Sequence, residues 1–114
     1  MMKHMIYLLL VILAFSEMES NANASTVIGP ISCQQWLDRK NKLADDDAYT
    51  IWLQGYLSGA NAVYDELLGR DLLKSADKIS IVDWTDLYCH KYPKLMVHDS
   101  ANALIKKLKK DLPF

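Results

Sequence analysis

Two cysteines, three histidines and a run of three aspartates are the residues of this chain with the most chemistry to offer. Cys33 and Cys89 have no CxxC partner, which sets aside thioredoxin-like redox chemistry and a zinc ribbon together. In an oxidising compartment, an isolated pair in a small domain forms a structural disulfide. The competing chemistry is a nucleophilic Cys89 activated by its neighbour His90. Adjacent residues of a helix point about 100° apart, and the expected bridge leaves no free thiol for attack. His90 and His98 stand on either side of Pro93 and make a poor metal pair. Asp45-Asp46-Asp47 lacks the alternating spacing and distal Glu of a calcium loop. The expectation is a chain without catalytic residues, metal site or cofactor, crosslinked through Cys33 and Cys89.

The bridge requires export, and the amino terminus supplies a signal for it. Lys3 and His4 precede an apolar run from Ile6 to Phe15, a polar stretch follows, and Ala22-Asn23-Ala24 has the small-x-small form cut by signal peptidase. The run is about half the roughly 20 residues a membrane span needs. Residues 1–24 therefore read as a cleavable signal peptide rather than a stable membrane anchor, and residues 25–114 as one domain, periplasmic or secreted. Of the 13 Lys and Arg and 14 Asp and Glu in the chain, the leader holds Lys3, Glu17 and Glu19, which leaves 12 of each sign. A neutral domain exerts no long-range pull on nucleic acid, so its partners are expected to be proteins or small molecules.

The segments that carry the cysteines, and those between and after them, all read as helix. Ser32-Cys33-Gln34-Gln35 has the S-x-x-Q form of a capping box, opening a short helix to about Asn41 with Trp36 on the cysteine side. The longest helical pattern, Tyr49 to Leu68, is expected to bury a stripe of Trp52, Gly55, Tyr56, Gly59, Ala60, Val63 and Leu67. Asp45 to Asp47 precede it, where the helix dipole favours negative charge. Gly55 and Gly59 each destabilise a helix interior by about 1 kcal/mol relative to Ala, so their spacing predicts close approach of another helix. Gly69 ends the element, and Leu72-Leu73 is expected to fold back onto the core. Ser80 to Asp83 predicts a further cap, followed by Ile81, Trp84, Leu87, Tyr88 and Cys89 on an apolar side and ended by Pro93. His98-Asp99-Ser100 announces a last helix with Ala101, Leu104, Ile105, Leu108 and Leu112 on one face. Its other face carries Lys106, Lys107, Lys109 and Lys110, which complement the dipole at a helix carboxyl end. The fold class is all-α: a small four-helix, single-disulfide bundle tied from its first helix to its third.

This layout resembles two groups of small exported bacterial proteins. The first is HdeA-like. It shares a cysteine opening the first helix with an aromatic close behind (Cys33, Trp36), a long second helix with Gly, a second cysteine shortly before a proline (Cys89, Pro93), and a closing Lys-rich amphipathic helix. The second is the Tai group, immunity proteins against type VI secreted amidase effectors, through Gly55-Tyr56-Leu57-Ser58-Gly59 and through Asp99-Ser100-Ala101 ahead of a helix ending Leu112-Pro113-Phe114. The resemblance implies a non-enzymatic, protein-binding role in the bacterial envelope. A chaperone would bind unfolding clients, and an immunity protein a toxin or cell-wall hydrolase. Candidate anchors are Tyr49, Tyr56, Tyr64 and Tyr92, because tyrosine is favoured in interfaces. A homodimer is also expected to be accessible to a domain this small.

Overall fold

The computed structural model describes residues 26–111, so the expected leader, its cleavage point and the final Leu112-Pro113-Phe114 lie outside the described residues. Four α-helices follow in order: α1 (Cys33–Asp38), α2 (Leu43–Leu68), α3 (Lys78–Lys91) and α4 (Val97–Asp111), with a 3₁₀ turn (Arg39–Asn41) between the first two. The all-α class is as expected, and the Cys33–Cys89 disulfide joins α1 to α3 across 56 residues of sequence. α4 packs on both α2 and α3, α1 packs on α3, and the 3₁₀ turn lies against α2. The entry segment is tied in by an isolated antiparallel bridge between Ser32 and Met96. Its backbone bonds run from the Cys33 N–H to the Leu95 carbonyl (2.9 Å) and from the Val97 N–H to the Ile31 carbonyl (2.8 Å).

Local chemistry accounts for most helix ends. The Ser32 hydroxyl accepts from the Gln35 N–H (3.0 Å) while Gln35 Oε1 accepts from the Ser32 N–H (2.8 Å), the reciprocal pair expected of a capping box. α2 ends on Gly69 in the left-handed region (φ 64°), whose N–H donates to the Asp65 carbonyl. Three helices start earlier than their patterns suggest. α2 begins at Leu43, with Asp45 and Asp46 inside its first turn rather than ahead of it, so the favourable dipole interaction is made from within the helix. α3 begins at Lys78 because Asp77, not Ser80, is its cap. Asp77 Oδ1 accepts from the Ser80 N–H (2.7 Å) and Ser80 Oγ accepts from the Asp77 N–H (3.1 Å). A serine at the third helical position can close a capping box as a Gln does. α4 likewise starts at Val97, where Asp99 Oδ2 accepts from the Met96 N–H (2.9 Å), so His98 lies inside the first turn.

The core is built around Trp36, Leu53, Leu57, Val97, Cys33 and Cys89, all fully buried, with Leu72 closing one end as expected. The buried line of α2 is Thr50, Leu53 and Leu57, and this corrects the expected stripe. Val63 and Leu67 are exposed, and Trp52, Tyr56 and Ala60 are half-buried along its edge. Gly55 and Gly59 are exposed too, and nothing lies within 4 Å of a Cβ built on either. No helix of the described chain approaches there, so close packing at these glycines is overturned. On α3 the buried line is Ile81, Thr85 and Cys89, while Leu87 faces solvent. On α4, Ala101, Leu104 and Ile105 are buried as their spacing predicts.

Candidate functional site

Cys33 and Cys89 are bonded to one another and fully buried. Asp46, from the aspartate run, is an ion-pair partner within the fold. His98 Nε2 stands 4.0 Å from Asp99 Oδ1, and its ring centre is 6.4 Å from that of Tyr56. His98 Nδ1 and Ser100 Oγ are buried atoms without a hydrogen-bond partner among the described residues.

The most constrained polar cluster centres on Arg39, which sequence reasoning passed over. Its side chain is 3 % exposed, with Nε donating to Asp46 Oδ1 (3.0 Å) and Nη1 paired with Asp86 Oδ1 (2.9 Å). Nη1 also donates to the Trp36 carbonyl (3.0 Å), and Cζ lies 4.0 Å from the Trp36 ring centre. Asp86 Oδ1 takes a second donor, Trp36 Nε1 (2.8 Å). One guanidinium thus ties the 3₁₀ turn to α2 and α3 through planar, charge-assisted bonds that lysine could not reproduce. Asp86 is remote in sequence from Trp36 and Arg39, so no local pattern announces the cluster. Asn61 is a second polar tie. Its Oδ1 accepts from the Leu72 N–H (2.7 Å) and the Leu73 N–H (3.2 Å), and its Nδ2 donates to Asp71 Oδ1 (2.8 Å), strapping the α2–α3 connection onto α2.

The four candidate tyrosines are not gathered into one patch. Tyr49 packs half-buried against the core. Tyr56 stacks on Trp52 with ring centres 5.3 Å apart, donates from its hydroxyl to Asn102 Oδ1 (2.9 Å), and lines a shallow cavity of about 470 Å³ with Ile28, Trp52 and Gly55. Tyr64 belongs to a groove between α2 and α4, under Lys109 Nζ at 5.0 Å from its ring centre. Tyr92 is 41 % exposed and sits at the far end of α3 against Tyr88, ring centres 4.9 Å apart. There it lines a mostly apolar groove of about 350 Å³ with Trp84, Leu87, Lys91 and Ala103. Burial, helped by the nearby Asp99 carboxylate and Tyr92, raises the Tyr88 phenol above its ordinary value, keeping it a neutral donor on that groove.

The four lysines of α4 lie away from its buried face. Lys107 pairs with Asp111 at 2.9 Å. No described carboxylate pairs with Lys106, Lys109 or Lys110. The arrangement offers shape, apolar surface and charge for recognition. Among the described residues, no nucleophile is held against a base in the way covalent catalysis requires. Among the described residues, no helix is long and apolar enough to cross a membrane. Compared with known proteins, no family model, curated protein or solved structure matches the chain.

Proposed function

We propose that this chain is an exported, non-enzymatic protein-binding domain of the bacterial envelope, of the HdeA-like acid-stress or periplasmic chaperone type. One observation carries the reading: a small crosslinked body leaves large apolar side chains in water, with Leu43 84 %, Leu67 75 %, Ile79 74 % and Leu87 72 % exposed. The disulfide keeps α1 and α3 attached when other contacts loosen, so surface can be offered to a client without complete unfolding. Acid supplies a trigger, because the Asp77 cap stabilises the fold more when ionised than when protonated. Loosening would then add Trp36 and the leucines of the core to the exposed surface. The test is suppression of client aggregation by the oxidised protein at about pH 2 to 3. Suppression at acid pH and none at neutrality is expected, and no suppression at either pH would eliminate the chaperone.

A second reading, a Tai-like immunity protein or inhibitor of a cell-wall hydrolase or another toxin, is favoured by the groove of Trp84, Leu87, Tyr88 and Tyr92. Aromatic pockets with polar tips are typical seats for one anchoring side chain of a specific partner. This reading expects a stoichiometric complex at neutral pH with the product of a neighbouring toxin gene. Leu87→Asp should abolish that complex, and a toxin that stays active on coexpression refutes the reading.

A further inference from the structure

The groove between α2 and α4 is set apart from the other surfaces by an apolar floor under a cationic rim. Ala60, Val63 and Tyr64 of α2 face Ile105, Lys106 and Lys109 of α4 across a cavity of about 540 Å³. Val63 is 54 % exposed and Leu67, one turn further along α2, is 75 % exposed, so the apolar strip runs on beyond the cavity. Residues four apart share one side of a helix, and a strip of this kind is read by a partner helix through its own i, i+4 anchors. On the rim, Lys107 is neutralised by Asp111. Lys106 and Lys109 are paired with no described carboxylate. Asp46, Asp47, Asp83 and Asp86 line a separate groove between α2 and the start of α3, where Arg39 holds Asp46 and Asp86, and the acids nearest the strip on α2 are the exposed Asp65 and Glu66. Two lysines without a described carboxylate partner thus stand on the α4 side of an open apolar trench.

We propose that this groove docks an acidic amphipathic helix of a partner protein, its apolar anchors against Val63 and Ile105 and its carboxylates against Lys106 and Lys109. The inference rests on the protein-binding reading and names the surface and the chemistry of its partner. A trench walled by two helices suits a ridge of side chains, whereas a lipid surface calls for a broad, outward-facing apolar side. Complementary charge at the rim steers the encounter and selects against basic partners.

The probes are two synthetic helical peptides of about 18 residues. They carry the same Leu and Ala stripe, one with Glu and one with Lys on the polar face. Binding to the oxidised protein is measured by calorimetry at about 50 and about 300 mM salt, where screening differs strongly. The Glu peptide should bind about tenfold tighter than the Lys peptide at low salt, with the margin shrinking at high salt. Val63→Asp should weaken it about tenfold, Lys106→Glu with Lys109→Glu should reverse the preference, and Ile51→Asp on the back of α2 should change nothing. All four positions are at the surface, and circular dichroism checks that each variant folds. Equal binding of the two peptides, indifference to Val63→Asp, or tighter binding to phosphatidylglycerol vesicles through the same lysines would overturn the proposal. If the unaltered protein suppresses client aggregation while the Glu peptide fails to bind it, only the groove is wrong. Loss of both sinks the protein-binding reading as well.

Discussion

Replacing Arg39 with Met keeps the length and apolar bulk of the side chain and removes its charge and its donors. The guanidinium is 3 % exposed and bonded to two carboxylates and a carbonyl. Severing a fully buried pair destabilises a protein by about 3–5 kcal/mol. Here the carboxylates keep access to water, Asp46 at 40 % and Asp86 at 28 % exposure, so both can partly rehydrate, and a loss of about 3 kcal/mol is expected. The two acids should differ. Asp86 Oδ1 holds both Trp36 Nε1 and Arg39 Nη1, whereas the Asp46 carboxylate holds Arg39 Nε and is the more solvated. Asp86→Ala is therefore expected to remove about 2–3 kcal/mol, and Asp46→Ala no more than about 1 kcal/mol. Urea unfolding at neutral pH, followed by circular dichroism, reads these values. With a slope of about 1 kcal/mol/M for a domain of this size, Arg39→Met should lower the midpoint by about 3 M. A shift under about 1 M, or an Asp46 effect equal to or larger than that of Asp86, would refute the view that this guanidinium joins the 3₁₀ turn to α2 and α3.

Reduction of Cys33–Cys89 opens a loop spanning 56 residues. On the chain-entropy relation this removes about 4 kcal/mol, a large part of the roughly 5–10 kcal/mol available to such a domain, so the reduced protein should unfold at a much lower urea concentration; a midpoint within about 1 M of the oxidised one contradicts this. Gly55→Ala and Gly59→Ala place a methyl group in open space on α2 and should each stabilise the protein by up to about 1 kcal/mol. Destabilisation by either, measured the same way, would restore a close helix approach that the described residues do not make. The pH dependence has two arms. The Asp77 carboxyl is held below its ordinary value of 3.8, chiefly by the Ser80 backbone N–H and then by the Ser80 side chain. Its contribution is therefore present above that pH and lost as pH falls through the native value. The destabilisation caused by Asp77→Ala should accordingly shrink in strong acid, and a constant difference from pH 7 to pH 2 argues against it. Tyr88 is raised above 10.0, so its contribution is complete below that pH and disappears as pH rises through the native value. Tyr88→Phe should flatten the alkaline limb of stability, and an unchanged limb contradicts the assignment.

Short-range chemistry was legible in the sequence wherever a few adjacent residues decide the outcome. The Ser32 capping box, the Gly69 terminus and the α4 stripe of Ala101, Leu104 and Ile105 are examples, because each depends on hydrogen bonds or periodicity within about two turns. The Asp77–Ser80 cap was misassigned because serine serves as the cap or as the residue three positions on with little local difference. The candidate site was less legible. Tyr56, Tyr64 and Tyr92 line three different grooves, since sharing a residue type does not make side chains neighbours.

The residue order alone determined that this chain makes helices, roughly where they lie, and that one sulfur pair could tie the first to the third. Only the tertiary structure decided which side of α2 is dry. That helix has apolar groups on more than one flank; α4 and the 3₁₀ turn pack on it, and Thr50, Leu53 and Leu57 are buried while Val63 and Leu67 stay in water. Tertiary structure likewise placed Asp86 beside Arg39 and laid the α4 lysines along an open apolar groove. Helix formation is governed by neighbours in sequence, whereas burial and charge pairing depend on residues that only the folded chain brings together.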